Sequence, residues 1–170
     1  MKIILIGFAT TYKSTVGKIL AQKLNLPLFD VDSQIEHSQG KTIPHIFAEQ
    51  GEEYFRKCES QMLSVCPSTA VVSCGGGTPL SQNFSSFCQN SIVIWLTATA
   101  KTVVSRLGSP ARPLFDGLTI EQIAQKIEQR NAVYKQFASV VLSTDGKTSN
   151  QVADEILSLS AVKSFAELNT

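Results

Sequence analysis

Close to the start of the chain, the residues Gly7-Phe-Ala-Thr-Thr-Tyr-Lys13-Ser14-Thr15 follow the apolar run Ile3–Ile6. The spacing of Gly7, Lys13 and Ser14 is that of a phosphate loop, G-x-x-x-x-G-K-[ST]. Such a loop presents a ring of backbone N–H groups at a helix N-terminus, with a lysine across the outer phosphates and a hydroxyl for magnesium. The second glycine is absent, and Tyr12 stands in its place. A non-glycine residue held at positive φ costs about 1–2 kcal/mol, roughly tenfold in affinity. Thr10 and Thr11 thin the glycine content further. Two readings follow from the motif alone: a weakened nucleotide loop, or an ordinary strand–turn–helix whose Lys13 is solvated.

Three further sets of residues bear on chemistry. "FDVDS" places Asp30 and Asp32 two apart, on one side of the chain if it is extended. One carboxylate would organise magnesium and the other accept a hydroxyl proton, unless an aspartate here caps a helix. "SCGGGTP" puts Gly75, Gly76 and Gly77 after an apolar run, which marks a close approach of a ligand or a sharp turn. Eleven of the fifteen basic residues are lysines, so the four arginines, Arg56, Arg106, Arg112 and Arg130, stand out as anion ligands. Glu59 lies three residues after Arg56 and is placed to orient it. Arg106 ends a helical stretch, where capping by a cation is the alternative. Arg112 sits in the Gly/Pro-rich "LGSPARPLF", which reads as a lid. Arg130 follows Glu128 closely enough for a helix-surface ion pair. His37 and His45 have no acid or serine in matching spacing and read as structural.

These residues need a scaffold that brings strand ends together. Apolar runs at Ile3–Ile6, Leu26–Asp30, Ala70–Ser73, Ser91–Leu96 and Ser139–Ser143 predict five strands. Helical patterns fall at Lys13–Leu24, Thr42–Gln50, Glu52–Val65, Thr99–Leu107, Thr119–Phe137 and Asn150–Leu159. Continuous apolar strands separated by helices predict a parallel sheet covered on both faces, a three-layer α/β domain. Ligands of such sheets bind beyond the carboxyl ends of the strands, where the candidates above lie.

With 170 residues, the chain fits a single domain with a full core. A composition of 43% hydrophobic and 17% charged residues is that of a soluble globular protein. The net charge of +1 offers no basic footprint for nucleic acid or a membrane surface. No run is long enough for a membrane span, and no signal peptide precedes the first strand, so the expected location is cytoplasmic. Cys58, Cys66, Cys74 and Cys88 lack metal-site spacing and read as free thiols.

Taken in order, "GFATTYKST", "LPLFDVDSQIE", "IFAEQGEEYFRKCE", "VVSCGGGT", "ARPLF" and "QRNAVYKQFA" resemble the shikimate kinase family. The combination of D-x-D, G-E-x-x-F-R-x-x-E, G-G-G and R-P-L carries the resemblance, which spans nearly the whole chain. It implies a three-layer α/β/α P-loop kinase fold with a five-stranded parallel sheet, a substrate-binding helical segment at about 31–62 and a mobile lid at about 108–118. The activity implied is transfer of the γ-phosphate of ATP to the 3-hydroxyl of shikimate, with Mg2+ and as a monomer. Catalysis would fall to Lys13, Asp32 and Arg112. Gly7, Thr10, Thr11, Tyr12, Lys13, Ser14, Thr15, Arg106, Arg112 and Lys147 would bind ATP, the last flanking adenine with Arg106. Asp32 would also bind the ring hydroxyls, and Arg56 and Arg130 would clamp the carboxylate. Gly75, Gly76 and Gly77 would line that pocket, Gly76 in direct contact, with Phe47, Phe55 and Glu59 around it. Ser14 would hold the metal, with Asp30 reaching it through water.

The chain departs from the family's G-F-M-G-x-G-K-[ST] loop at Thr10 and Tyr12, which bears on ATP affinity and leaves the acceptor side untouched. Lys13, Ser14 and Arg112 are all retained, which favours an active kinase with weakened nucleotide binding. The competing readings are a non-catalytic shikimate-binding protein with an impaired loop, and a related small-molecule kinase such as one acting on gluconate.

Overall fold

Four consecutive isoleucine and leucine residues form β1 (Ile3–Ile6), and all four are fully buried because helices cover both faces of the strand. The computed structural model describes residues 1–107 and 117–167. After β1 come α1 (Lys13–Lys23), β2 (Leu28–Asp30), α2 (Val31–Gln39), α3 (Ile43–Val65) and β3 (Val71–Ser73). A 3-10 turn at Thr78–Leu80 leads to α4 (Phe84–Phe87), β4 (Ile92–Thr97) and α5 (Ala100–Leu107). The chain continues through α6 (Ile120–Phe137), β5 (Val140–Ser143), α7 (Ser149–Ser158) and α8 (Ser160–Glu167).

The sheet runs β2-β3-β1-β4-β5, and every pairing is parallel. Alternation along β1 divides the core. Ile4 and Ile6 face a cluster that includes Ile35 of α2, Phe55 of α3 and Ile123 and Tyr134 of α6. Ile3 and Leu5 face Val16 and Leu20 of α1, Val152 and Ile156 of α7, and Phe165 of α8. This is the expected three-layer architecture. The outer strand β5 is less covered than its apolar run suggests, with Val141 54% exposed.

The chain leaves β1 for one flank of the sheet and, after β3, crosses past β1 to β4. The crossovers that leave the neighbouring strands β1 and β3 therefore part company, opening a crevice at their carboxyl ends.

Local structure departs from the expected elements in three places. The D-V-D-S stretch is not extended: Asp30 ends β2 at φ −90, ψ 111, and Asp32 already lies in the first turn of α2. The two helices expected around Gly51 form one element, broken at Gly51 by φ 78, ψ 176. Besides α2, two short helices, α4 and α8, were not expected. The second follows a break at Leu159 (φ −63, ψ 133) and buries Val162 and Phe165.

Candidate active site

The loop between β1 and α1 carries the backbone that its missing glycines would have favoured. Thr10 has φ 60 and Tyr12 has φ 67, both left-handed. Gly7, at φ 146, has no room for a side chain, since a Cβ there would collide with the Leu96 carbonyl oxygen. Thr11 is fully buried and its Oγ1 donates to the Phe8 carbonyl at 2.9 Å. Lys13 is buried as well, and its Nζ donates to the same carbonyl at 2.6 Å. Ser14 and Thr15 stand exposed in the first turn of α1. Ser14 Oγ lies 3.3 Å from Ser73 Oγ at the end of β3.

The ring of Tyr12 lies under Arg106, whose guanidinium carbon is 3.8 Å from the ring centroid. It also packs against the apolar cluster on the α1 side of the sheet. Arg106 is in the last turn of α5, yet it reaches across to the loop instead of capping its own helix. Its Nη1 donates to Thr10 O (3.3 Å) and Thr144 Oγ1 (2.8 Å), and its Nη2 to Thr144 O (2.6 Å). Lys147 is held at the N-terminal side of α7 by Glu155, with Nζ 2.5 Å from Oε2. Arg112 and residues 108–116 of the expected lid lie outside the described residues.

Across the crevice, the two aspartates take different positions. Asp30 is the N-cap of α2, its Oδ1 accepting Ser33 N–H at 3.2 Å. The capping alternative thus holds for Asp30, and the pair does not share one side of an extended strand. Asp32, half-buried, packs against the glycine run: a Cβ on Gly75 would stand 2.5 Å from its Oδ1. A Cβ on Gly77 would collide with the Arg56 guanidinium, while Gly76 O accepts the Tyr134 hydroxyl at 2.7 Å. The three glycines are thus a close approach of backbone to protein side chains, two of them expected site residues.

Arg56 is fixed by two carboxylates. Nη1 pairs with Glu59, and Nη2 lies 2.8 Å from Glu52 Oε1. Glu59 is fully buried and also accepts Thr78 Oγ1 at 2.6 Å. Burial pulls the Arg56 guanidinium down, but Glu59 and Glu52 outweigh it and hold it above its ordinary value. The hydrogen bond and charge of Arg56 keep the Glu52 carboxyl below its ordinary value, and Arg130 adds to this. The Phe55 ring centroid is 5.6 Å from the Arg56 guanidinium carbon and 4.7 Å from the Phe47 centroid. Among the described residues Arg130 forms no ion pair, and Glu128 accepts from Asn131 at 3.2 Å instead. Burial pushes the Tyr134 hydroxyl up, and it feels the charges of both Arg130 and Arg56. The two arginines therefore act on the same region.

Cys74 lies between the two halves. Burial pushes its thiol well up, and the charges of Lys13, Glu59 and Asp32 all reach it. The loop and Asp32 thus meet at the end of β3, where Ser14 Oγ lies beside Ser73 Oγ and Asp32 packs against Gly75. Burial likewise raises Cys66 to about 11 and Cys88 to about 12, which leaves them inert as thiolates. His37 and His45 are exposed, and no cluster of three or more histidines, cysteines and carboxylates occurs among the described residues. Sequence reasoning passed over Glu52, Thr78, Tyr134 and Thr144. Only Glu52 carries a sequence signal, its i,i+4 spacing to Arg56.

A parallel sheet of this order, with a lysine-bearing loop after its central strand and a carboxylate and arginines across the crevice, defines a P-loop kinase of a small molecule. The profile of the shikimate kinase family matches residues 10–161. A shikimate kinase from Persephonella marina is 41% identical over 159 residues, covering 91% of this chain and 96% of that protein. The structure of shikimate kinase from Acinetobacter baumannii in complex with shikimate superposes with a TM-score of 0.83 at 30% identity, over 92% of this chain and 90% of that one. A gluconokinase from Sinorhizobium meliloti reaches a TM-score of 0.58 at 13% identity, covering 98% and 93%, a likeness of fold alone. The chain belongs to the shikimate kinase family.

Proposed function

We propose that this protein is an ATP-dependent shikimate kinase that transfers the γ-phosphoryl group of ATP to the 3-hydroxyl of shikimate. The observation that carries this reading is the meeting of the phosphate loop and Asp32 at the end of β3, with Ser14 Oγ 3.3 Å from Ser73 Oγ and Asp32 packed against Gly75, beside an Arg56 held by Glu59 and Glu52. The loop amides and Lys13 grip the phosphates, with Lys13 leaving the Phe8 carbonyl for the transferred group. Arg56 and Arg130 take the shikimate carboxylate, for which Glu52 is the resident partner of Arg56. Asp32 orients the ring hydroxyls and accepts the proton as the hydroxyl oxygen bonds to phosphorus and the bond to the β-phosphate oxygen breaks. Arg112 closes over the phosphates, and Arg106 and Lys147 flank the base. Positioning and charge neutralisation supply the rate, since phosphoryl transfer needs little covalent help.

The oxygens near the loop fit a hard cation. Ser14 Oγ and Ser73 Oγ lie 3.3 Å apart, and Ser73 is the register partner of Asp30. One hydroxyl and a carboxylate reached through water are the donors Mg2+ takes beside phosphate oxygens. When bound there, the ion neutralises charge on the β- and γ-phosphates. The acceptor acid and the donor nucleotide are the partners this chemistry needs beside the chain, consistent with a monomer in the cytoplasm. No helix among the described residues is long and apolar enough to cross a membrane.

A coupled assay of ADP release with shikimate and MgATP tests the reading. Turnover that depends on shikimate and falls at least ~100-fold in Lys13→Met is expected; turnover no higher than that variant's refutes it.

A further inference from the structure

One threonine and one tyrosine, Thr10 and Tyr12, hold left-handed backbone where glycine is the ordinary choice, and one side chain touches both. Arg106 donates to the Thr10 carbonyl at 3.3 Å and covers the Tyr12 ring at 3.8 Å. Thr10 is tied to the same helix a second time, its Oγ1 donating to Val103 O at 3.5 Å. The other side of the guanidinium fork is fixed to Thr144, at 2.8 Å and 2.6 Å. Thr144 is fully buried, and its N–H and Oγ1 both donate to the Thr97 carbonyl at 2.9 Å. The start of α5 is anchored to the same turn, Asp145 accepting Thr99 N–H at 3.1 Å. The ends of β4 and β5 thus reach the loop through one arginine.

We propose that Arg106 is a positioning residue for the phosphate loop, clamping Thr10 and Tyr12 in left-handed backbone in place of two glycines. The ring of Tyr12 is the handle: the guanidinium carbon sits 3.8 Å from its centroid while the fork still bonds Thr10 and Thr144, a combination that lysine's single ammonium does not reproduce. The loop's backbone N–H groups converge only while those two residues keep positive φ, because a reversal at either one turns the adjoining peptide. Glycine loops hold this shape with no steric penalty; this loop holds it by an external contact. The proposal deepens the kinase reading and rests on it for the nucleotide, but the clamp itself is a property of the free protein.

The test is a pair of backgrounds, the natural loop and the Thr10→Gly/Tyr12→Gly loop, each with Arg106, Arg106→Lys and Arg106→Ala. Calorimetry with MgADP and amide hydrogen exchange of Lys13 and Ser14 in nucleotide-free protein are read in all six. In the natural loop, Arg106→Ala is expected to weaken MgADP ~10-fold and to speed loop exchange by a similar factor, with Arg106→Lys close behind. In the glycine loop, the same substitutions should weaken MgADP less than ~3-fold and leave exchange unchanged. Equal weakening in both backgrounds, with loop exchange unmoved, overturns the clamp and leaves Arg106 a ligand of the nucleotide alone. If the natural protein takes no MgADP at all, the kinase reading fails, and the exchange comparison still decides the clamp.

Discussion

Gly77 shows how tightly a single residue governs the acceptor side. Its missing side chain is the space the Arg56 guanidinium fills, with Glu59 and Glu52 closing the other sides. Gly77→Ala drives a methyl group into that space, and crowding of this kind costs about 1–3 kcal/mol. Arg56 is the part that yields, because Glu59 is buried and bonded to Thr78. Initial rates should show KM for shikimate rising about tenfold or more, with KM for ATP within about twofold because Lys13 and Arg106 are untouched. A similar rise in both constants would mean that the glycine run acts on the whole crevice. Residue types alone marked Lys13, Ser14, Asp32, the glycines and the arginines, because spacing after an apolar strand limits where side chains can go. They did not show where the Tyr12 ring turns, since Arg106, its partner, lies 94 positions later (106 − 12). Long-range contacts of that kind, like those of Thr144 and Tyr134, leave no periodic trace in the chain.

At the scale of elements, the break in α3 decides where Arg56 points. Gly51, at φ 78 and ψ 176, divides the element into a part bearing Phe47 and a part bearing Phe55, Arg56 and Glu59. The bend folds the first part back so that the Phe47 ring packs, tilted by 38°, against Phe55 at 4.7 Å between centroids. That backbone region is nearly closed to other residues and costs them about 1–3 kcal/mol. Gly51→Ala should therefore lower the melting temperature by roughly 2–12 °C for a chain of this size and raise KM for shikimate more than KM for ATP. Scanning calorimetry with initial rates checks both; an unchanged melting temperature would show that the break survives alanine. The two helical patterns around Gly51 were readable because each has its own apolar face. The helix after Asp30 was not, since Asp-Val-Asp-Ser offers only one apolar residue in the first turn and extended spacing explained the aspartates equally well. Here the cap at Ser33 N–H settled the backbone.

At the scale of the whole molecule, the question is whether both halves of the crevice bind. In the proposed reading, nucleotide and acid meet side chains from different crossovers, the loop and α5 for one, α2, α3 and α6 for the other. A ligand that binds only the folded chain stabilises it by about 2.7 kcal/mol at a hundred times its Kd. For a domain of this length that shifts the melting temperature by about 5–11 °C. Shikimate alone and MgADP alone should each give such a shift, and the two together at least their sum, because neither displaces the other's side chains. Melting curves with each ligand separate the readings the sequence left open. A shift with shikimate and none with MgADP at any concentration would make this a binding protein whose loop has lost its nucleotide. A shift with gluconate matching that with shikimate would mean that the arginines recognise a carboxylate and that the ring hydroxyls are not read. The clamp on Tyr12 argues for the two-ligand outcome: a loop that no longer met phosphate would have nothing to gain from two residues held at positive φ.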